Sequence, residues 1–152
     1  MNTADLKEKL YHHCLAYVNS HIETNSTAFE YTQDAARTET KTVASEEPET
    51  GKERMQREME TIGRRLDEAL KQRKLLQSID YKKTYATVEP GAYVDTSVGA
   101  FFISLSADEI EIDGEEYCPI SLASPIGQVL EGKKAGDSTS FRGRAITVKE
   151  VC

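Results

Sequence analysis

Residues 42–51 read Thr42-Val43-Ala44-Ser45-Glu46-Glu47-Pro48-Glu49-Thr50-Gly51 and separate two segments that have helical periodicity. Pro48 cannot continue a helix, because it lacks a backbone N–H and its ring clashes with the preceding turn. No Pro precedes Pro48 and no Gly precedes Gly51. Thr50 to Glu53 has the form of a capping box, which favours a new helix start there. The segment predicts a chain reversal with acidic residues at its turn.

Apolar residues recur at helical spacing on both sides of this turn. A first stripe comprises Leu6, Leu10, Cys14, Val18 and Ile22. A second stripe alternates steps of four and three, a heptad pattern, through Met55, Met59, Ile62, Leu66, Ala69, Arg73 and Leu76. Helices joined by a short connection pack antiparallel. Residues 1–80 are therefore predicted to form an antiparallel coiled-coil hairpin with an acidic tip near 44–51, in which 70–79 meets 6–15 at the base.

The residue pattern changes after Asp80, where short runs of β-branched and aromatic residues alternate with residues typical of turns. The sequence Asp113-Gly114 is typical of a tight hairpin turn, and Pro125 to Leu130 reads as a short helix that ends at Gly132. The fold class is therefore predicted to be α+β, with 81–152 forming a small, curved, antiparallel β domain with one short helix. The predicted strands are Tyr85–Val88, Ala92–Val94, Ala100–Leu105, Glu109–Ile112, Tyr117–Ile120, Ser138–Phe141 and Ala145–Val148.

Composition and charge exclude several classes of function. The chain has 152 residues and a formal charge of -7, with 15 acidic and 12 basic residues in 1–80 and 11 acidic and 7 basic residues in 81–152. Neither half is basic enough to bind duplex DNA through its phosphates, so no independent sequence-specific DNA binding is expected. There is no cationic leader and no apolar run of membrane-spanning length, so no membrane association is expected. The three dispersed cysteines, Cys14, Cys118 and Cys152, favour a reducing, cytoplasmic location over a disulfide framework.

One segment of the β region carries a more specific pattern. It reads Ser124-Pro125-Ile126-Gly127-Gln128-Val129-Leu130-Glu131-Gly132-Lys133-Lys134-Ala135-Gly136-Asp137. This segment resembles the C-terminal signature of the Gre family of transcript cleavage factors, and residues 146–151 are similar to that family's last strand. With the hairpin, the resemblance to the GreA/GreB type covers nearly the whole chain and implies an FKBP-like β domain. We call residues 124–137 the signature segment.

The resemblance implies that the hairpin enters the secondary channel of RNA polymerase. In the family an Asp and a Glu three residues later assist the polymerase's own hydrolysis of backtracked nascent RNA. Glu46 and Glu49 match that spacing and would hold Mg²⁺ only within the polymerase active site, with Glu47 a possible substitute. The protein would then be no enzyme by itself and would need no cofactor of its own.

The resemblance and the charge pattern also suggest contact residues. Five basic residues flank the tip and are candidates for contact with extruded RNA through its phosphates: Arg37, Lys41, Lys52, Arg54 and Arg57. For any single one of them, an ordinary solvated helix face is the more common explanation. In the signature segment, Ser124, Pro125 and Ile126 are candidates for docking to the polymerase, although Pro125 also has the ordinary role of starting a helix.

Three alternatives stay open. The family's tip reads Gly-Asp-Leu-x-Glu-Asn, whereas this chain has Ser45-Glu46-Glu47-Pro48-Glu49-Thr50, so the protein could occupy the channel as a regulator without cleavage activity. Carboxylates at a helix start also have a purely structural role, because the helix dipole stabilises them. The β domain alternatively suggests an FKBP-like prolyl isomerase or chaperone, with the helices as a dimerisation arm.

Overall fold

The computed structural model describes the backbone of residues 2–42 and 48–152, and the side chains of residues 2–37 and 51–152. Two long helices come first, α1 over Thr3–Thr42 and α2 over Pro48–Gln77. The strands follow as β1 (Tyr93–Thr96), β2 (Gly99–Ile103), β3 (Ile110–Ile112) and β4 (Glu115–Ile120). Helix α3 (Pro125–Leu130), β5 (Ser138–Phe141) and β6 (Arg144–Val151) complete the chain. The protein is therefore of the α+β class, as predicted.

The strands form one sheet in the order β3-β4-β2-β1-β6-β5. Neighbouring strands are antiparallel except for β2 and β4, which run parallel, so the expectation of a wholly antiparallel sheet is wrong at this pair. The parallel pair arises because the chain leaves β2, forms the edge strand β3 and returns through Asp113-Gly114 into β4. The hairpin predicted at Asp113-Gly114 is confirmed.

The run from Tyr85 to Val88 is not a strand, and that prediction is wrong. It makes one isolated bridge, between Thr87 and Lys134, and places the Tyr85 and Val88 side chains in the core. The backbone N–H of Val88 donates to the Lys133 carbonyl at 2.8 Å. Because its partner is the loop after α3, this run cannot extend into a ladder, although its β-branched and aromatic composition resembles that of a strand.

The described chain divides into two compact units, Met1–Tyr17 with Lys74–Cys152, and Val18–Arg73. In the first unit, alternation along β2 sends Phe101 and Ile103 to one face of the sheet and Phe102 to the other. The first face packs with α3 into the main core, whose buried members are Tyr85, Val88, Ala92, Val94, Phe101, Ile103, Ile120, Leu130, Ile146 and Val148. This unit therefore places its core between the sheet and α3.

The first turns of α1 also belong to this unit and contact the strand region directly. Leu6, Leu10 and Cys14 are buried, and Cys14 Sγ lies 3.6 Å from Ser104 Oγ just after β2. Ser104 follows Phe102 by two residues and therefore shares its face. Both faces of β2 are thus covered, which explains why the sequence around 100–105 is apolar at nearly every position rather than at alternate ones.

The second unit consists of α1 from Val18 onward and α2 up to Arg73. Arg73 Nη1 donates to Asn19 Oδ1 at 3.3 Å, and Gly63 faces the ring of Phe29. Ten residues forward along α1 therefore correspond to ten residues backward along α2, which makes the two helices antiparallel, as predicted. Arg73 fits within the heptad stripe because its guanidinium reaches the amide oxygen of Asn19.

Two details of the helix predictions are wrong. Helix α2 begins at Pro48, so Thr50 lies inside the helix and is not its N-cap. Pro48 takes the first helical position, where its missing N–H costs nothing and its fixed φ suits the helix. Leu70 and Leu75 are 39% and 46% exposed, so they do not join the predicted base, whereas Leu76 and Ile79 are buried there.

Candidate functional site

The predicted acidic tip lies between α1 and α2. Glu46 and Glu47 lie outside the described residues. Glu49 is the second residue of α2, and its side chain also lies outside the described part of the chain. The role of these carboxylates therefore stays a prediction.

The five candidate basic residues do not form one cluster. Arg37, Lys52, Arg54 and Arg57 are all exposed, whereas the side chain of Lys41 lies outside the described residues. Arg37 of α1 and Lys52 of α2 line the same groove. At about 100° per residue, Arg54 and Arg57 point about 200° and 140° away from Lys52 around α2. The structure therefore separates one pair of cations from the other two.

An open groove of about 750 Å³ lies between α1 and α2 within the second unit. We call it the interhelical groove. Phe29 and Met59 contribute its large apolar surfaces, next to the small residues Ala36 and Gly63. The remaining described lining residues are polar or charged: Gln33, Arg37, Lys52, Gln56 and Glu60. The groove is thus mainly apolar along its floor and cationic at the end nearer residue 42.

The signature segment begins with a capped helix. Ser124 is the N-cap of α3, and its Oγ accepts a hydrogen bond from Gly127 N at 3.1 Å and donates one to the Ser121 carbonyl at 2.6 Å. Pro125 follows at the first helical position. Gly127 is buried, and a Cβ at this position would overlap the Ser121 carbonyl oxygen and lie 2.8 Å from Leu122 Cα. Ser124 therefore caps the helix, Pro125 suits its first position, and close packing requires glycine at 127.

The second half of the signature segment forms two tight turns. Gly132 and Gly136 have φ values of 75° and 94°, a region that other residues rarely adopt. Gly132 N donates to the Val88 carbonyl at 3.0 Å, and Asp137 Oδ2 accepts from Lys134 N at 3.0 Å. These contacts fix the loop that leads from α3 to β5. The pattern that carried the family resemblance thus encodes a specific local structure.

The three candidate docking residues differ in accessibility. Pro125 is exposed, while Ser124 and Ile126 are half-buried, and Ile126 packs against the main core. The Ser124 hydroxyl is engaged in the α3 cap. A partner that approaches this end of α3 would therefore contact Pro125 directly and the other two only at their edges.

Sequence reasoning missed a buried cation in the first unit. Lys7 is 2% exposed, and its Nζ donates to the carbonyls of Lys83 at 2.8 Å and Cys152 at 3.1 Å. The Nζ also lies 4.7 Å from the centre of the Tyr85 ring. Burial lowers the pKa of Lys7 from its ordinary 10.5. A signal was present in the sequence, because Lys7 is three residues before Leu10 and seven before Cys14 and so shares their face of α1.

Metal sites and membrane-spanning helices are both absent from the described part of the chain. Among the described side chains, those of residues 2–37 and 51–152, no group of three or more His, Cys, Asp or Glu is placed to hold a metal ion. Over residues 2–42 and 48–152, no helix combines the length and apolar character needed to cross a membrane. Of the aromatic residues of the sheet, Phe101, Phe102 and Tyr117 are buried, and Tyr93 and Phe141 are half-buried.

Comparisons with known proteins found likeness among solved structures only. No protein-family profile matches the chain, and no curated protein matches its sequence. Among solved structures, the chain is similar to the structure of the transcription factor Gfh1, with 17% sequence identity and a TM-score of 0.37. The alignment covers 90% of this chain and 92% of the other.

Proposed function

We propose that this protein is an accessory factor of RNA polymerase that binds in the secondary channel and stimulates the polymerase to cleave backtracked nascent RNA. The observation that carries the proposal is the joint occurrence of the signature segment and the antiparallel helix pair with Glu46, Glu47 and Glu49 at its connection. Neither feature alone would point to this function. The Ser, Pro and Gly positions of the signature segment form the cap and the close packing of α3.

The chemistry requires two carboxylates on a slender support. Hydrolysis of a phosphodiester at a two-metal site needs a second cation near the scissile phosphate and a water beside it. The polymerase supplies the substrate, the first Mg²⁺ and the remaining catalytic groups. Glu46 and Glu49 would act as metal ligand and water-orienting group, and Glu47 could replace either. The protein itself would have no hydrolytic activity.

The helix pair suits a narrow channel. Helix α2 has 30 residues, which corresponds to a length of about 45 Å. Two packed helices resist bending better than a loop of the same reach, so carboxylates at their connection can be presented deep inside another protein. RNA phosphates would meet Arg37 and Lys52 on one side and Arg54 and Arg57 on another, with Lys41 nearby in sequence. Pro125, flanked by Ser124 and Ile126, would contact the polymerase outside the channel.

A transcript cleavage assay tests the proposal. The cognate polymerase is stalled and backtracked on a template, the full chain is added, and transcript length is followed over time. We expect shortened transcripts with the native protein and none above background with Glu46→Ala plus Glu49→Ala. A matched control, Glu53→Ala plus Glu58→Ala, removes two exposed acids of α2 outside the tip and should preserve cleavage. Undiminished cleavage by the tip variant would remove those residues from the mechanism.

A second candidate is a channel-binding regulator without cleavage activity. The tip sequence favours it, because Glu46 stands where the family has Asp and carries one more methylene, which loosens the placement of its carboxylate. Pro48 also stands between the two acids. Binding to the polymerase with no shortening of transcripts, or with slowed elongation, would select this candidate. Turnover of a prolyl peptide without polymerase affinity would select the isomerase alternative instead.

A further inference from the structure

The interhelical groove has the size of a small-molecule site. Its volume of about 750 Å³ lies within the range of roughly 300–1,000 Å³ typical of ligand pockets. Clefts between packed helices are a common place for such sites. All of its described lining residues belong to the unit Val18–Arg73.

The floor of the groove is an interruption in the helix packing. A coiled coil normally fills the space between its helices with large apolar side chains. Here Ala36 and Gly63 lie at positions that line the groove, and a Cβ added to Gly63 would meet only the Phe29 ring, at 3.7 Å. Phe29 and Met59 remain half-buried, so apolar surface is exposed along the groove. Covering it with an apolar ligand is favourable in proportion to the area removed from water.

The charges of the groove are asymmetric along its length. Arg37 and Lys52 lie at one end, and Glu60 lies eight residues further along α2 than Lys52, a distance of about 12 Å. Arg37 also pairs with Asp34 at 3.8 Å, but both side chains are mostly exposed, and such pairs contribute little. The two cations are therefore able to hold an anionic group at that end, whereas Glu60 disfavours one at the other.

We propose that the interhelical groove binds an amphipathic carboxylate. Its unbranched apolar chain lies over Phe29 and Met59, in the space left by Ala36 and Gly63. Its carboxylate lies between Arg37 and Lys52, which determines the direction of the ligand in the groove. The site shares Arg37 and Lys52 with the proposed RNA contact, uses none of the carboxylates Glu46, Glu47 and Glu49, and does not depend on the proposed cleavage function.

Binding of decanoate to the full chain, measured by calorimetry below its micelle concentration, tests the site. Because each buried methylene strengthens binding, we expect the Kd to fall about fourfold per methylene from octanoate to decanoate. Decanol should bind more weakly than decanoate because it lacks the charge, and decyltrimethylammonium more weakly still because Arg37 and Lys52 repel it. The absence of saturable decanoate binding, or equal binding of all three head groups, would overturn the proposal.

Variants locate the ligand. Lys52→Gln should weaken decanoate binding about two- to fivefold, the range expected for one exposed charge interaction. The matched control Arg57→Gln removes a cation on another face of α2 and should leave the Kd unchanged. Met59→Gln keeps helix propensity and should weaken binding of decanoate and decanol alike. Equal effects of Lys52→Gln and Arg57→Gln would refute a defined site in favour of general charge attraction.

Two further outcomes keep the test decisive. Gly63→Leu fills the floor, so it should abolish binding while circular dichroism shows intact helices; retained binding in that folded variant would contradict the proposal. If a partner helix rather than a small carboxylate occupies the groove, decanoate will not bind and Met59→Gln will instead weaken partner association. No polymerase is present in the calorimetric assay, so its result is independent of the cleavage proposal.

Discussion

Replacing Gly127 with alanine should destabilise the first unit, although alanine is the better helix former. Gly127 is the third residue of α3 and donates its N–H to the Ser124 cap at 3.1 Å. An added Cβ would overlap the Ser121 carbonyl oxygen and lie 2.8 Å from Leu122 Cα and 2.9 Å from Ser124 Oγ. Two of these three neighbours are backbone atoms, which cannot move aside as the end of a long side chain can.

The size of the loss in stability follows from two destabilising effects and one stabilising effect. Overpacking a well-filled site costs about 1–3 kcal/mol, and disturbing the N-cap costs about 1 kcal/mol. Replacing glycine by alanine within a helix returns about 1 kcal/mol. The free energy of unfolding of the first unit should therefore fall by about 1–3 kcal/mol, which lowers Tm by roughly 2–12 °C for a chain of this length.

Gly63→Ala is the matched control, because the same substitution should act in the opposite direction. Gly63 lies inside α2, and its added Cβ would be at 3.7 Å from Phe29, an ordinary van der Waals distance. The free energy of unfolding of the second unit should rise by about 1 kcal/mol. Urea unfolding followed by circular dichroism, together with hydrogen exchange of peptides from each unit, measures both effects. A Gly127→Ala variant as stable as the native protein, or a destabilised Gly63→Ala variant, would refute the packing argument.

Three further predictions concern titratable groups. Burial lowers the pKa of Lys7 below 10.5, so just below that pH the unfolded chain binds more protons at Lys7 than the folded chain does. The free energy of unfolding should therefore rise as the pH increases towards 10.5. In Lys7→Met, the midpoint of urea unfolding should no longer show this rise. Burial raises the pKa of Tyr93 from 10.0 to about 12, so the folded state retains a proton that the unfolded chain releases. Stability should therefore fall as pH increases from 10 to 12, and less steeply in Tyr93→Phe; equal slopes would contradict the assignment. Cys14 is buried, and burial raises the pKa of its thiol, so mass spectrometry after brief thiol labelling should find it less modified than the half-buried Cys118 and Cys152. Faster labelling of Cys14 than of the other two cysteines would contradict the burial of this face of α1.

The sequence predicted those elements whose signal is local. The helical spacing of apolar residues predicted both long helices, because that period follows directly from helical geometry. Pro125 and Gly132 predicted the bounds of α3, because proline and glycine restrict or permit particular backbone angles at their own positions. The run at 85–88 was misassigned because composition alone cannot say whether an extended segment has a neighbour to pair with.

In the candidate site too, the sequence predicted some features and the structure alone revealed others. Charge identified Arg37 and Lys52 as candidate contact residues, but the sequence could not indicate that these two line one groove while Arg54 and Arg57 are not among its described lining residues. The signature segment indicated a resemblance, and the structure then gave its residues physical roles in a cap and two turns. Glu46 and Glu47 lie outside the described residues, so their role at the tip stays a prediction.

By itself the sequence determined the two antiparallel helices, the acidic connection between them and the β-rich character of the second half, because periodicity and turn chemistry act over a few residues. Only the tertiary structure decided which faces meet. The burial of Lys7 against two distant carbonyls, the contact of Cys14 with Ser104 and the interhelical groove at Ala36 and Gly63 all join residues far apart in the chain. Such contacts depend on how helices and strands pack, which no short stretch of sequence encodes.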